Sequence, residues 1–509
     1  MKKFILLLLP ASLLYGAESL RVLESAVGTT RAGADIRCLI TSDDFDYATP
    51  KTRVLVVGGG KSTAAAMRWL YESPKAARYR DRFALSAIPD VPVDLSKGFP
   101  PTGDAYGGAN SETQYIWRWI GMHAPDLAVV IDGGAAGLGD ALSHGAPSMT
   151  GSIPAVSMAA QENPEQFVVK LVAAAAGKPP SPARLELQRR VARTPLEVAT
   201  QLGLKYGHSL DEVVYIPAVA LIGRIRLGEV KDVQRIVEPY ASGAKPTLDK
   251  PTSSHFPGHL VFGELAHVTH DPRYVDLVRR AADFAFDQKG NPLEAMPLHN
   301  EMSDAVFMGG PILAQAGTLT GDEKYFDMCV RHIEFMLKLN LRPDGLHRHS
   351  PLNAAAWGRG NGFPALGIAL SLSELPDGHP GFAKLLAAFR AHMEALARHQ
   401  DPGGAWHEVI DVPGSYRELT ATCMIAFAMA RGVRLGWLDR AAYDPMIRKA
   451  WTAAKSRMAA DGKLVDVCTG TGKQKSLQDY LDRTAILGED PRGGAMGLLL
   501  ATEMMVYFR

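Results

Sequence analysis

From His208 to the end of the chain, apolar residues recur at intervals of three and four, and the runs stop at Gly or Pro. That spacing puts one apolar stripe on each helix and leaves little room for strands. It predicts helices over 213–227, 259–269, 274–286, 305–319, 325–339, 363–375, 381–398, 421–432, 442–458 and 493–507. Two connectors repeat at a distance of 51 residues, Thr269-His270-Asp271-Pro272-Arg273-Tyr274 and Thr320-Gly321-Asp322-Glu323-Lys324-Tyr325. A helix pair that cannot bury its apolar faces alone must stack on its neighbours, so a repeat of pairs gives a solenoid or closes into a toroid. Many helices and few strand signals point to a closed α/α barrel.

The front of the chain has another texture. Arg53-Val54-Leu55-Val56-Val57, Phe83–Ile88 and Leu127–Ile131 are apolar runs of strand length, and Glu112 to Met122 reads as a helix. Gly58-Gly59-Gly60-Lys61-Ser62-Thr63 follows the first strand. A phosphate-binding loop needs another Gly five residues before Gly60, where this chain has Leu55. The segment is therefore read as a tight strand-to-helix turn in an α/β domain over 18–160. Residues 161–206, broken by Gly177-Lys178-Pro179-Pro180-Ser181-Pro182, read as a connector to a helical domain over 207–509.

Residues 1–17 read as an export signal: Lys2-Lys3, an apolar run from Phe4 to Leu14, and Ala17 at a cleavage position. The run is short for a bilayer span, and no later stretch of about 20 residues is free of charge. An exported protein without a membrane segment after signal removal is expected. The net charge of +1 provides no broad basic field for nucleic acid. Cys38, Cys329, Cys423 and Cys468 form no Cys-x-x-Cys pair, so no zinc or redox centre is expected from them. Each is read as a small buried hydrophobe.

The candidate chemistry lies in Ala356-Trp357-Gly358-Arg359-Gly360-Asn361-Gly362-Phe363. Its glycines permit close backbone approach. An indole and a guanidinium held there suit a sugar acid: the ring stacks and the cation grips a carboxylate. Asp304 follows Ser303, read as an N-cap, and opens an apolar helix.

Four segments in order, Glu301-Met302-Ser303-Asp304-Ala305-Val306-Phe307-Met308, the Trp357–Phe363 stretch, Gln400-Asp401-Pro402-Gly403-Gly404-Ala405-Trp406, and Ser415-Tyr416-Arg417-Glu418-Leu419-Thr420-Ala421-Thr422, resemble the unsaturated uronyl hydrolases of glycoside hydrolase families 88 and 105. The resemblance covers about residues 205–509. It implies an (α/α)6 barrel of six helix hairpins with a site at one mouth, an oligosaccharide substrate and no cofactor. It makes Asp304 the catalytic acid/base, protonating C4 of a 4,5-dehydro uronic acid so that water adds at C5. Trp357, Arg359, His349, Asn361, Phe363, Trp406 and His255 are then the substrate-binding candidates, with His347 a rival to His349 and Glu418 a supporting group.

Departures from the family pattern are also visible. The family's second Asp falls in Thr252-Ser253-Ser254-His255-Phe256-Pro257-Gly258, which has no carboxylate; Asp249 is nearest. Phe363 stands where a Trp is usual. A non-catalytic carbohydrate-binding protein on a degenerate barrel is the alternative. Residues from about 50 to 135 are more weakly similar to zinc carboxypeptidases, through Phe99-Pro100-Pro101-Thr102-Gly103-Asp104-Ala105-Tyr106 and Pro125-Asp126-Leu127. Glycines and Lys61 replace the ligand pair of that family, and Asp132 replaces its later His. A catalytic zinc needs three protein ligands, so the front domain is expected to be catalytically silent.

Overall fold

The computed structural model describes residues 22–103, 106–108, 110–132 and 137–509. The proposed export signal, Asp104-Ala105 and Gly133-Gly134 lie outside the described residues.

The predicted strands join a sheet of order β1-β2-β4-β3-β5-β6, formed by Leu23–Thr29, Asp35–Ile40, Thr52–Val57, Phe83–Ile88, Leu127–Ile131 and Ala155–Met158. β3 pairs parallel with β4 and β5, and β5 with β6. β1 and β2 add an antiparallel edge. Every residue of β4 and β5 is buried, as expected of parallel strands covered on both faces. One face packs under Gly60–Glu72 and Pro164–Ala175, through Met67, Leu70, Phe167 and Leu171. The other packs under Ser111–His123, and its apolar cluster runs on into Trp357, Tyr416, Cys468 and Tyr480 of the helical domain. The glycine turn has Gly59 at φ 82°, in the left-handed region, as the residue before the Gly60–Glu72 helix.

The segment 161–206 is helical and packs on both parts of the chain. Pro164–Ala175 covers the sheet, whereas Pro195–Gly203 packs on Pro491–Tyr507. Between them, Pro182–Ala192 ties the domains: Arg184 pairs with Asp126 at 2.5 Å, and Arg190 donates to the Ser456 carbonyl at 3.0 Å.

In the helical domain, six helices among the described residues are buried on most sides: Tyr215–Arg226, Leu260–Thr269, Ala305–Thr320, Gly358–Glu374, Leu419–Arg434 and Pro491–Tyr507. Each packs on the next, and the last packs on the first. Between them in sequence run helices with one buried face, such as Pro272–Ala282, which buries Tyr274, Leu277, Val278, Ala281 and Ala282. The repeated connector has a physical basis. His270 and Gly321 take left-handed φ values of 57° and 70° to end one helix. Asp271 and Asp322 then cap the next, accepting from Arg273 N and Lys324 N; an Asp at the N-cap supplies an acceptor for a helix-end N–H.

Two helix expectations need correction. Val230–Ala241 is a helix that periodicity did not single out, since it carries Pro239 and charge among Val233, Val237 and Tyr240. The 363–375 helix begins earlier, at Gly358. The glycine-rich stretch is thus its first turn, because a Cβ at Gly358 would stand 2.7 Å from the His407 carbonyl oxygen. Further along, a Cβ at Gly367 would lie 2.7 Å from the Phe307 backbone nitrogen, so the two helices meet backbone to backbone. Gly367→Ala is expected to destabilise the protein by about 1–3 kcal/mol, the usual cost of overpacking, read as a lower urea midpoint. An unchanged midpoint would show that these helices can separate freely.

Candidate active site

The first residues of five of the six buried helices gather at one place. Tyr215, Trp357 to Arg359, Glu418 and Asp490 all start or cap such a helix, as does Asp304. Burial pushes the Tyr215 hydroxyl up to about 12; Arg359 opposes this, Asp304 and Asp490 add to it, and Arg492 opposes it. Those charges therefore surround Tyr215. Helix N-termini carry partial positive charge, which suits this place to an anionic ligand.

Asp304 caps Ala305–Thr320 in position only, since its side chain makes no capping bond. Ser303, expected as the cap, instead donates to the Gly360 carbonyl at 2.7 Å, and so ties the Asp304 turn to the glycine-rich helix. Asp304 Oδ1 lies 3.4 Å from His349 Nε2, without an aligned hydrogen bond. The Asp304 side chain keeps 10% of its surface exposed, whereas that of His349 keeps none. The imidazole is oriented from behind: Nδ1 and the Tyr480 hydroxyl share a hydrogen bond of 2.9 Å. Between the two histidine candidates, His349 is the one at Asp304. His347 packs edge-on to His392 at 4.6 Å, and burial keeps its pKa well below the usual range.

Arg359 is buried, and each arm of its fork holds one backbone carbonyl. Nη1 donates to the Cys468 carbonyl and Nη2 to the Thr469 carbonyl, each at 2.6 Å. Burial weighs against its charge, but Cys468, Glu418, Tyr215 and Glu408 outweigh that and raise its pKa. Its guanidinium carbon sits 4.6 Å from the Trp357 ring centre. Trp357 is 1% exposed and also packs against His349 and Tyr480, at 4.4 and 6.3 Å between ring centres. The expected open indole face for a sugar is thus filled by protein: Trp357 holds His349 and Arg359 in place.

Behind Trp357 stands Glu408, fully buried. Its Oε1 accepts from Trp357 Nε1 at 2.9 Å and from the Cys468 thiol at 3.1 Å, and its Oε2 has no partner. Burial, with the neighbouring Glu418, pushes its pKa up to about 8. Glu418 itself caps Leu419–Arg434 by accepting from Ala421 N, and also accepts from Cys468 N at 3.0 Å.

Other sequence candidates lie away from open space. Asn361 accepts from His347 N at 2.8 Å and donates to the His347 and Trp357 carbonyls at 3.0 Å. Its amide is spent on fixing the chain before the helix. Phe363 is 1% exposed, stacked on Phe307 at 5.5 Å and edge-on to Tyr215 at 5.7 Å. Trp406 is fully buried and donates to the Leu396 carbonyl, so it is a core residue. His255 opens a short helix that packs on Ala305–Thr320. It meets Glu212 Oε1 at 3.1 Å, which brings a carboxylate to the stretch that lacks one; Asp249 is exposed.

Sequence reasoning missed Tyr215, Tyr480, Glu408 and Cys468. The last two come with the strand Leu464–Cys468 and the loop before Tyr416, neither of which carries a spacing signal. Among the described residues, no group of three or more His, Cys, Asp or Glu could hold a metal. No helix among them is long and apolar enough to cross a membrane.

A carboxyl and an imidazole face each other where helix N-termini and two arginines gather, which is a site suited to acid/base work on an anionic substrate. Residues 234–508 match the family model Glycosyl Hydrolase Family 88, and the chain belongs to that family of glycosidases. It is 29% identical over 243 residues to YesR, an unsaturated rhamnogalacturonyl hydrolase of Bacillus subtilis, covering 44% of this chain and 68% of that protein. It is 28% identical over 217 residues to an unsaturated 3S-rhamnoglycuronyl hydrolase of an Alteromonas species, covering 40% of this chain and 51% of that protein. The fold is similar to that of a family 105 glycoside hydrolase of C. acetobutylicum, with TM-score 0.52, 19% identity, and coverage of 62% of this chain and 100% of the other. A possible family 105 member from Klebsiella pneumoniae gives TM-score 0.53 and 21% identity over 64% of this chain and 94% of that one.

The buried Glu408 predicts a pH signature. Its pKa is near 4.5 in the open chain and about 8 in the fold. Between those values the native state keeps a proton that the unfolded chain releases. This contribution to stability is present at low pH and is lost as pH rises toward 8, at up to about 1.4 kcal/mol per pH unit. Glu408→Gln should therefore gain stability over the wild type at pH 8 relative to pH 5, compared by urea midpoints. An identical pH dependence in both proteins would show that Glu408 is ionised in the fold.

Proposed function

We propose that this protein removes 4,5-dehydro uronic acid from lyase-made oligosaccharides, with pectic and rhamnogalacturonan fragments as the substrate class. The observation that carries the reading is Asp304: a carboxyl at a helix start, with Oδ1 unpartnered and 3.4 Å from His349 Nε2. The ring of buried helices is read as the inner wall of an (α/α)6 barrel, and Asp304 lies at its mouth. The names of the relatives in Bacillus and Alteromonas support the substrate class.

The reaction follows from the double bond. Asp304 gives its proton to C4, and positive charge develops at C5 beside the ring oxygen. Water adds at C5 and returns a proton to the Asp304 carboxylate. The resulting hemiketal opens the ring, leaving a carbonyl at C5. C1, now a hemiacetal carrying the neighbouring sugar, then releases that sugar as an alcohol and becomes an aldehyde. One carboxyl thus gives and takes one proton. His349, fixed by Tyr480, orients Asp304 or the attacking water. Arg359 and Arg492 supply positive charge for the uronate carboxylate; Arg359 does so with the N–H groups that Cys468 and Thr469 leave free. Export through residues 1–17 belongs to the same proposal, since such polymers are degraded outside the cytoplasm when they are too large to enter.

Absorbance of the C4=C5 bond reports the reaction directly. The wild type is expected to abolish it with an unsaturated rhamnogalacturonan disaccharide. Asn matches Asp in size and suits a helix start equally well, so Asp304→Asn should fold and bind nearly as the wild type does. Its kcat should fall by roughly 10²-fold or more. An Asn variant that keeps most of its turnover would end the assignment. A wild type inert on pectic and glycosaminoglycan lyase products would favour the binding-protein alternative.

A further inference from the structure

The sheet domain and the helical domain do not close completely on each other. A cavity of about 590 Å³ lies between them, walled by Phe45, Tyr47, Tyr106, Tyr115, Trp119 and Tyr416. Asp304, His349 and Arg359 are not among its lining residues. Its volume is that of an ordinary small-molecule site, mostly apolar with a few polar groups.

Among the described residues, the buried charges around it are paired with one exception, and Asp46 and Lys449 of the wall are exposed. Arg118 faces Asp466 at 2.8 Å, Arg417 faces Asp401 at 2.6 Å, and Arg448 faces Asp444 at 2.6 Å. Arg457, also in the wall, is only 7% exposed. Its guanidinium makes one long bond, 3.4 Å from Nη1 to the Ala453 carbonyl, and its Nε has no partner. Nearby in the wall the Tyr115 hydroxyl is buried and unpartnered as well. A buried cation without a counter-charge is unfavourable, and an anion that enters beside it removes the penalty. Aromatic walls take the apolar face of a ring, and the terminal nitrogens of Arg457, which keep the little exposure this residue has, take carboxylate oxygens.

We propose that this interdomain cavity is a second, non-catalytic site for an acidic sugar, with its carboxylate on Arg457 and its ring against the aromatic wall. The carboxylate follows from Arg457; the preference for a sugar over another ring-sized carboxylate rests on the function proposed for the mouth. Saturated digalacturonate, which has no C4=C5 bond to hydrate, is the probe. Calorimetric titration of the full-length protein is expected to show saturable binding, weakened at least tenfold by Arg457→Gln. Because Arg457 makes so few bonds, the Gln variant should melt no lower than the wild type. Should it melt lower, Arg457→Lys carries the test: it keeps the charge and should keep binding within a few-fold. Binding that is absent from the wild type, or indifferent to both variants, overturns the site. Binding that falls with Arg359→Lys but not with Arg457→Gln places the probe in the mouth and also overturns it. Benzoate binding as tightly as digalacturonate, with the same dependence on Arg457, overturns the choice of a sugar. Turnover of the unsaturated disaccharide by the same preparation reports separately on the catalytic reading: an inert wild type removes that reading and leaves the binding result standing.

Discussion

A guanidinium taken out of water must be answered by oxygen, and Arg359 is answered by the backbone of one short strand. The carbonyls of Cys468 and Thr469 hold its two terminal nitrogens. That strand, Leu464–Cys468, is itself held from the far side. Asp466, with φ at 60°, accepts from Arg118 at 2.8 Å and from Tyr106 at 3.0 Å, both in the sheet domain. Through Cys468 it also touches Glu408 and Glu418, which fix Trp357 and the Leu419–Arg434 helix. The position of Arg359 thus depends on an ion pair between domains, and a buried pair is far more costly to break than to leave out.

Close approach explains why the glycine-rich stretch can be helical at all. Glycine is a poor helix residue, and Gly358, Gly360 and Gly362 stand in one helical turn and a half. Each of them faces a neighbour that a side chain would strike: the His407 carbonyl, Ser303 Oγ and Met424. Packing compensates the conformational entropy these residues lose. The same nearness lets Ser303 bond to the Gly360 carbonyl, which fixes Asp304 relative to Arg359. Asn361, placed among those glycines, holds the His347 backbone, and the chain then reaches His349 two residues on.

This arrangement also marks what sequence could and could not tell. The helices from 213 onward follow from spacing, because an apolar stripe at three and four has few other uses. The first turn at Gly358 was hidden, since its reason lies across space. Leu464–Cys468 was hidden too: five buried residues in a row carry no alternation, and a short apolar run does not distinguish strand from helix. Asp304, His349, Trp357 and Arg359 were named from motifs and do assemble at one place. Asn361 and Trp406, two of the substrate-binding candidates, spend their polar groups on backbone carbonyls. Tyr480 and Glu408 could not be found, as they reach the site from segments with no motif of their own.

The sheet domain is accordingly more than a neighbour of the helical one. Tyr106 stacks on Tyr416 at 4.8 Å, in the loop that leads to Glu418. Arg118 donates to the Ala485 carbonyl, on the partner strand of Leu464–Cys468. Arg417 reaches back to the Ala26 carbonyl of β1. Remove the sheet domain, and Asp466 becomes a charge in an apolar strand with nothing opposite it, while the aromatic face of Tyr416 is left to water. A domain without a metal cluster among its described residues can still set the geometry of the candidate site, because Arg359 is anchored to a backbone that this domain holds.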